Sequence, residues 1–369
     1  MPRRAFGSAC CSLAFAILMF AVLAALPAKA AEECAAPRLE NTVPMEPIVG
    51  SGGGDDGKVA VPITLNGVEK KFLFDTGGGV MNYVSSAVAL KLGMFRTDNF
   101  VAMDLAGNKS YSVAGARNVK FGGVSAREPA TVFQEVPDLA FDGILSAGTM
   151  IGDDLDMDFG AMRLNFFSAD HCPGDVVYWP HQALAVVPVT LAQGHFELAV
   201  TLDGHALTAV IDTGSPWTIL NSEWAEKNLG FSPEASAAQS PGVPKDEPDK
   251  QIYFRKYSAL SFPGIAITKP LVIVRPVQFG DENDAGPTDR RAPDLIIGME
   301  VLRHLHLYYA ASEQKFYITP AASGPSSLPR DVAPPPDGHA WPQNAAVLFE
   351  GMGPHPPAAL ARLNPGHRQ

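Results

Sequence analysis

Short apolar runs and polar turns alternate along this chain, and one such pattern occurs twice. Residues 63–93 align with residues 200–230 without a gap, at a constant offset of 137. In each copy a strand meets a two-residue turn of the kind that closes a β-hairpin, and an apolar strand returns from it. The turns are Asn66-Gly67 and Asp203-Gly204, and the returning strands contain Phe72–Phe74 and Ala209–Ile211. The repeat predicts one supersecondary unit in each half of the chain.

Each copy then continues into a short helix. The predicted helices begin near Ser85 and Ser222, because hydroxyl side chains suit the N-cap position. They end before Gly93 and Gly230, since glycine readily adopts the left-handed conformation that closes many helices.

The two halves also end alike. The apolar segments FDGILSAG and PDLIIG reach Gly148 and Gly298, and strands with a period of two follow each of them. We therefore predict an all-β chain with a short helix in each half. The N-terminal lobe covers residues 58–172 and the C-terminal lobe covers residues 183–320, which are ordinary domain sizes.

The regions outside these lobes differ in composition. Residues 1–30 have a charged start, an apolar run and an Ala-x-Ala site, which is typical of a cleaved signal peptide; an uncleaved anchor is the alternative. Residues 31–57 are predicted to be a flexible linker, because the G-x-G-x-x-G pattern in GSGGGDDG precedes a strand and does not follow one. Residues 321–369 are rich in proline and lack periodicity, which predicts a disordered tail.

Charge and cysteine content narrow the classes of function. The net charge of −11 argues against a nucleic-acid-binding surface. The signal predicts an exported protein, periplasmic or secreted, without stable membrane insertion after cleavage. Cys34 and Cys172 remain once the signal is removed, so a disulfide between them and two free thiols are both open at this point.

Asp75 and Asp212 occupy the same place in the two copies, each at the end of an apolar strand. A carboxylate is costly to bury there unless something compensates for it. If the two acids lie face to face, they cannot both ionise and must share one proton. The charged acid then draws a proton from a bound water while the protonated acid donates to a carbonyl oxygen. Such a pair allows water to attack an amide without a covalent intermediate.

The residues next to the two acids suit this chemistry. Thr76 and Thr213 offer hydroxyl groups that we expect to lock the two loops together. Gly77 and Gly214 lack a Cβ atom and so permit close approach. Ser215 is placed to hydrogen-bond to the carboxylate of Asp212.

Two Asp-Thr-Gly sequences, each followed by a short helix and a later apolar strand ending at glycine, resemble the pepsin-like and retropepsin-like aspartic proteases over most of residues 58–320. The resemblance implies a bilobal fold of two β-barrel lobes related by a pseudo-twofold axis. It also implies a catalytic dyad of Asp75 and Asp212 that works without a cofactor or a metal ion.

The same resemblance implies a flexible hairpin, the flap, that closes over an extended peptide. We assign it to residues 103–115, MDLAGNKSYSVAG, with its tip at Gly107-Asn108 and with Tyr111 in the returning arm. The first half departs from the family pattern at two places. Gly78 replaces the usual Ser, Thr or Ala, and SAG at residues 146–148 replaces the apolar pair before the supporting glycine.

Other candidate motifs are weaker. DDLDMDFG at residues 153–160 is similar to the start of a calcium loop, but its alternation is that of a half-buried strand. His304 and His306 are either paired metal ligands or, as we expect, a solvated pair on a strand. The polar insertion at residues 232–251 is either a surface loop or a second lid over the cleft.

The leading hypothesis is an exported aspartic endopeptidase that acts as a monomer on a peptide or protein substrate, with no cofactor, metal or nucleic-acid partner. The alternative is a protein of the same fold that binds peptides without cleaving them, and the altered first half motivates it. A third possibility keeps the enzyme but pairs the lobes of two chains.

Overall fold

The computed structural model of this protein describes residues 35–49, 55–97, 102–103, 109–110, 113–121, 124–125, 130–137, 139–150, 152–192, 194–232, 252–277 and 292–322. Most of the described residues lie in β-strands, and the helices among them are short. This confirms the prediction of an all-β chain. Residues 1–30 of the predicted signal and residues 323–369 of the predicted tail lie outside the described part, as does most of the insertion at 232–251.

The first half contains strands β1 to β15, one α-helix and one 3-10 helix. They are β1 (Leu39–Pro44), β2 (Glu46–Val49), β3 (Asp55–Leu65), β4 (Val68–Asp75), β5 (Tyr83–Ser85), α1 (Ser86–Lys91), β6 (Phe95–Thr97), β7 (Ala102–Met103), β8 (Lys109–Ser110), β9 (Val113–Arg117), β10 (Lys120–Phe121), β11 (Val124–Ser125), β12 (Ala130–Val136), β13 (Gly143–Ser146), the 3-10 helix (Ala147–Thr149), β14 (Asp154–Asp158) and β15 (Arg163–Phe167).

Among its described residues, the second half contains strands β16 to β27 and two helices. They are β16 (Ala185–Pro188), β17 (Thr190–Ala192), β18 (His195–Leu202), β19 (His205–Ile211), β20 (Thr218–Asn221), α2 (Ser222–Leu229), β21 (Tyr253–Lys256), β22 (Ala259–Phe262), β23 (Ile265–Thr268), β24 (Leu271–Arg275), β25 (Leu295–Ile297), α3 (Met299–Leu302), β26 (Leu305–Ala310) and β27 (Lys315–Pro320).

The same strand order is found in the main sheet of each half. In the first half it is β11-β10-β3-β4-β13-β5-β12-β9-β6, and in the second half it is β23-β22-β18-β19-β25-β20-β24-β21. In both sheets the strand that leads to the Asp-Thr-Gly sequence pairs in parallel with a later apolar strand, β13 or β25. That apolar strand pairs antiparallel with the short strand before the helix. The sequence repeat therefore corresponds to a repeat of the strand order and pairing in the two main sheets.

A third sheet is built by both halves. Its order is β1-β15-β14-β26-β27-β16, so three strands come from each half and β14 pairs antiparallel with β26 at its centre. One large hydrophobic core runs through both halves, and a smaller cluster lies beside it, formed by Phe167, Val176, Tyr308, Ala310 and Tyr317. The two halves therefore share a core in addition to a sheet.

The local turn and cap predictions are largely confirmed. Asn66 and Asp203 have φ angles of 51° and 48°, and the glycines after them have φ angles of 85° and 83°, as a two-residue hairpin turn requires. Ser85 caps α1 by accepting a hydrogen bond from Val88 N at 3.2 Å. The cap of α2 is Asn221, not Ser222, because the amide oxygen of Asn221 already accepts from Glu223 N at 3.1 Å.

The predicted flexible linker over residues 31–57 is only partly correct. Residues Leu39–Pro44 form β1, which pairs antiparallel with β15, and Glu46–Val49 form β2, which pairs with β3. The side chains of Val43 and Met45 are buried in the large core. Strand pairing and burial fix this segment, whereas its composition suggests a loop. Among the described residues, no helix has the length and hydrophobicity needed to cross a bilayer.

Candidate active site

The two predicted site acids lie at matching ends of matching strands. Asp75 is the last residue of β4, and Asp212 directly follows β19. The parallel neighbour of β4 places Ser146 beside Asp75. The parallel neighbour of β19 places Ile297 beside Ile211, and Asp212 N donates to Ile297 O at 3.0 Å. The sheet of each half therefore delivers one carboxyl group to the boundary between the halves.

The loops that carry the two acids are locked together by reciprocal hydrogen bonds. Thr76 Oγ1 donates to Ile211 O at 2.7 Å and accepts from Thr213 N at 3.0 Å. Thr213 Oγ1 donates to Phe74 O at 2.7 Å and accepts from Thr76 N at 3.0 Å. Both threonines are fully buried. The two hydroxyl groups thus lock the loops together, as expected from the sequence. Because these bonds join the two loops directly, they also fix the distance between Asp75 and Asp212.

Each carboxyl group packs against the glycine of the opposite loop. A Cβ atom placed on Gly77 would lie 2.5 Å from Asp212 Cγ, and one placed on Gly214 would lie 2.4 Å from Asp75 Cγ. Real Cβ atoms do not come so close, so only glycine fits at either position. In addition to burial, the charge of Asp212 acts on Asp75 and raises its pKa, because the two carboxyl groups are near each other. The two acids are face to face, as expected from the sequence.

The two acids differ in the hydrogen bonds that they accept from their own loops. Asp75 Oδ1 accepts from Gly77 N at 2.8 Å. Asp212 Oδ1 accepts from both Gly214 N at 2.9 Å and Ser215 N at 3.1 Å. Main-chain N–H groups favour the charged form of a carboxylate. Asp212 is therefore the better place for a negative charge, and Asp75 is the better place for the shared proton.

The surroundings raise the pKa of both acids, and most strongly that of Asp75. Burial raises the pKa of Asp75 well above its ordinary value, and the charge of Asp212 raises it further. Burial also raises the pKa of Asp212, while the hydrogen bonds that it receives act in the opposite direction. Both side chains nevertheless keep part of their surface open to solvent. The pair is accessible to water and is built to hold one proton between two acids.

The departure at Gly78 has a counterpart on the neighbouring strand. A Cβ atom on Gly78 would lie 2.3 Å from Ser146 Oγ, and that hydroxyl group donates to Met81 O at 2.6 Å. In the second half, Ser215 Oγ donates to Trp217 O at 2.8 Å. The hydroxyl group predicted to bond to the carboxylate of Asp212 thus bonds to the loop backbone, while Ser215 contacts that carboxylate through its main-chain N–H.

A glycine on the supporting strand completes this arrangement in the second half. Gly298 directly follows Ile297, the last residue of β25, and it corresponds to Ser146, which follows Leu145 in β13. A Cβ atom on Gly298 would lie 2.3 Å from Trp217 O and 2.8 Å from Ser215 O. Each half therefore has one serine and one glycine at these two places, with the order exchanged between loop and strand. Sequence reasoning missed Ser146, because it aligned Gly148 with Gly298.

Helix α3 supports the second-half loop from behind. Met299 N donates to Ser215 O at 2.8 Å, and Glu300 N donates to Pro216 O at 3.1 Å. The side chain of Glu300 is 3% exposed, and burial raises the pKa of this carboxyl group to about 7. Glu300 is therefore a third acid, next to the site. The sequence pattern did not indicate it, since it lies outside the aligned repeat.

Two basic residues also belong to the site and were missed. His195 begins β18, and its Nε2 atom lies 3.0 Å from Gly77 O. Lys58 is the residue at the same offset in the first half, and its charge opposes the burial that raises the pKa of Asp75. Extending the repeat upstream to Gly57-Lys58 and Gly194-His195 would have found both, and both glycines have positive φ angles.

The predicted flap is described only in its arms. β7 and β8 pair antiparallel, with Ala102 opposite Ser110 and Met103 opposite Lys109. Gly107, Asn108 and Tyr111 lie outside the described residues. The hairpin assignment is supported by this pairing, and the role of its tip stays a prediction.

Cys172 forms a disulfide bond. The partner cysteine lies outside the described residues, and so does Cys34. The alternative of a free thiol at Cys172 is therefore wrong, whereas its pairing with Cys34 stays a prediction.

The prediction that His306 belongs to a solvated pair is wrong. His306 is 3% exposed, its Nε2 atom hydrogen-bonds to Asp156, and its ring stacks on Trp179 with centroids 3.7 Å apart. Asp154 and Asp156 of the proposed half-buried strand are fully buried as well. Residues 171–179 cover this face of the shared sheet, and His171 Nε2 lies 2.7 Å from Asp154 Oδ2. Among the described residues, no group of three or more potential metal ligands is found.

Comparisons with known proteins add little to this geometry. No family model matches the sequence, and no curated protein matches it. Among solved structures, the chain is similar to the crystal structure of basic 7S globulin from soybean. The likeness covers 78% of this chain and 96% of that chain, with 12% sequence identity and a TM-score of 0.42. Values this low leave the function to be argued from the residues of the site.

Proposed function

We propose that this protein is an aspartic endopeptidase with a pepsin-like, two-lobed fold, in which Asp75 and Asp212 form the catalytic dyad. The observation that carries the proposal is the meeting of two Asp-Thr-Gly loops, one from each half, through the reciprocal bonds of Thr76 and Thr213. A turn that only closes two strands needs neither a paired acid nor a fully buried hydroxyl exchange. The repeated strand order of the two main sheets supports the two-lobed fold.

The chemistry follows from the different environments of the two acids. A water held between the carboxyl groups gives a proton to the charged Asp212 and attacks the carbonyl carbon of the peptide bond. The protonated Asp75 donates to the carbonyl oxygen, so negative charge does not build up on that oxygen. Transfer of the proton held by Asp212 to the amine nitrogen then breaks the C–N bond, while a hydroxyl group of the tetrahedral intermediate returns a proton to Asp75 and so restores the starting state. The reaction needs no cofactor, metal ion or covalent intermediate.

This division of roles predicts a bell-shaped pH profile. Activity falls at low pH, when Asp212 also becomes protonated and no longer accepts a proton from water. It falls at higher pH, when the shared proton is lost from Asp75. Because burial and the neighbouring charge raise the pKa of Asp75, the optimum is expected in the acidic to mildly acidic range.

The direct test is incubation of the purified protein with a mixed peptide library across about pH 3–7, the range in which carboxyl pairs titrate. Asp212→Asn and Asp75→Asn are expected to abolish cleavage and to leave the circular dichroism spectrum unchanged. A transition-state mimic of the statine type is expected to inhibit the wild type. Cleavage by Asp212→Asn at the wild-type rate would remove the proposal.

The same experiment also tests the alternative, in which the protein binds peptides without cleaving them. That alternative was motivated by Gly78, but Ser146 Oγ occupies the space of the missing side chain. Peptide binding without products at any pH would favour it. Export and a monomeric state are further parts of the proposal, and molecular mass in solution would separate a monomer from lobes paired between two chains.

A further inference from the structure

His195 joins the two halves at the site in a way that the proposed reaction does not use. It stands at the start of β18 in the second half, whereas the carbonyl oxygen that it contacts belongs to Gly77 in the first half. The His195 Nε2 atom lies 3.0 Å from Gly77 O, and the Nδ1 atom lies 3.2 Å from Ala192 O. The side chain is 5% exposed. It therefore holds a fixed place between its own hairpin and the opposite loop.

The residue that it holds, Gly77, contacts both acids of the site. Gly77 N donates to Asp75 Oδ1 at 2.8 Å, and the Cα of Gly77 faces Asp212 so closely that a Cβ atom would lie 2.5 Å from Asp212 Cγ. Gly77 thus touches both carboxyl groups, Asp75 through its N–H and Asp212 through its Cα. A shift of Gly77 changes the position of Asp75 and the space beside Asp212 together.

We propose that His195 is a positioning residue that fixes Gly77, and with it both acids of the proposed dyad, through the hydrogen bond from Nε2 to Gly77 O. The inference rests on the proposed function for its kinetic consequence, but not for its structural one. Carbonyl oxygens only accept hydrogen bonds, so a ring protonated on both nitrogens makes both bonds and a neutral ring makes one.

The corresponding position of the first half supports a role at the site. Lys58 follows Gly57 as His195 follows Gly194, at the same offset as the two Asp-Thr-Gly sequences. Its ammonium group lies 5.3 Å from the centroid of the Phe141 ring. Both halves therefore place a basic side chain on the first strand of the hairpin that leads to the site, β3 or β18, and in the second half this side chain contacts the opposite loop.

Two neutral amides separate the bond to Gly77 from the bond to Ala192. In His195→Gln, the amide nitrogen lies near the place of Nε2 and keeps only the bond to Gly77 O. In His195→Asn, it lies near the place of Nδ1 and keeps only the bond to Ala192 O. Both variants lose the imidazole ring, so a larger effect of His195→Asn than of His195→Gln reports on the Gly77 bond.

The first measurement is steady-state cleavage of a peptide that the wild type hydrolyses. We expect His195→Asn to lose about a hundredfold in kcat, because a displacement of about 1 Å has this effect, with KM changed by less than about threefold. His195→Gln is expected to stay within about tenfold of the wild-type kcat, as the loss of one hydrogen bond allows. Equal losses of kcat in the two variants would overturn the proposal.

The second measurement does not depend on activity. Hydrogen exchange of the Gly77 amide, followed by NMR, is expected to be faster in His195→Asn than in His195→Gln, with the glutamine variant close to the wild type. Equal protection of Gly77 in both variants overturns the positioning role, whatever the rates of cleavage. If the wild type cleaves no peptide, the proposed function fails, and the exchange rates still decide the role of His195.

Discussion

Exchanging the residues at positions 78 and 146 tests how the first half supports Asp75. A Cβ atom on Gly78 would lie 2.3 Å from Ser146 Oγ and 3.1 Å from Ser146 Cβ, so the space for a side chain at position 78 is already filled from the strand. The φ angle of Gly78 is not in the left-handed region, and the backbone itself accepts a side chain. The contact with Ser146 is the main one that opposes the substitution, since the next neighbour, the main-chain oxygen of Asp75, would lie 3.3 Å from the added Cβ atom.

The magnitudes follow from these contacts. Gly78→Ser alone is expected to cost about 1–3 kcal/mol, the usual range for an overpacked site. Ser146→Gly alone loses the hydrogen bond to Met81 O, at about 1 kcal/mol, and adds about 0.5–1 kcal/mol for glycine in a strand. The double variant reproduces the second-half arrangement, with serine on the loop and glycine on the strand. We expect it to be more stable than the sum of the single changes by at least about 1 kcal/mol.

The assay is urea unfolding of the wild type, both single variants and the double variant, with cleavage of one peptide measured in parallel. The matched control is the reverse exchange in the second half, Ser215→Gly with Gly298→Ser. A Cβ atom on Gly298 would meet the backbone oxygen of Trp217 at 2.3 Å, and removing the Ser215 side chain does not relieve that contact. Additive losses in the first-half cycle would refute the reasoning.

Three further predictions concern the surroundings of the site. Thr213→Val leaves Phe74 O without its donor and removes an acceptor in a fully buried place, so we expect a loss of about 2–4 kcal/mol in urea unfolding, with Thr213→Ser as the control that keeps the hydroxyl group. Burial raises the pKa of Glu300 from 4.5 to about 7, so its stabilising proton is held at low pH and lost as the pH rises through about 7. Glu300→Gln should therefore become more stable than the wild type by on the order of 2–3 kcal/mol between about pH 5 and pH 8, and parallel pH curves would contradict this. Non-reducing peptide mapping should recover Cys172 linked to Cys34, and a different partner would contradict that pairing.

The elements that the sequence predicts well are those that depend on neighbouring residues. The two hairpin turns rest on Asn66-Gly67 and Asp203-Gly204, whose positive φ angles are a local property of those residue types. The helix ends at Ser85 and Gly230 rest on a single side chain and a single left-handed glycine. A repeat doubles the information at each of these places, because both copies must satisfy the same geometry.

The elements that the sequence misses depend on residues far away in the chain. Leu39–Pro44 is a strand because β15, more than a hundred residues later, offers it an edge. Asp156 reads as the solvent side of an alternating strand, yet Tyr178 and His306 cover it and hydrogen-bond to it. A period of two separates the faces of a strand, but it does not show whether a remote segment covers the outer face.

The site itself shows the same division. Asp75 and Asp212 were found because each lies at a strand end inside the aligned repeat. His195 was not, because it lies five residues before the aligned segment and acts on the opposite half. The contact between His195 and Gly77 follows from no pattern inside the aligned segment. It becomes visible only when the two loops are placed against each other.

The exchange of serine and glycine between the halves bears on why the two acids differ. In the second half, Ser215 N donates to the carboxylate of Asp212 at 3.1 Å. In the first half, Gly78 N donates to the main-chain oxygen of Asp75 at 3.3 Å, as Ser215 N does to the main-chain oxygen of Asp212, but only Ser215 N also donates to its carboxylate. A repeat with two identical loops would leave the shared proton without a preferred place. The additional hydrogen bond to Asp212 favours the charge on Asp212 and the proton on Asp75, which is the state that the proposed water activation would use.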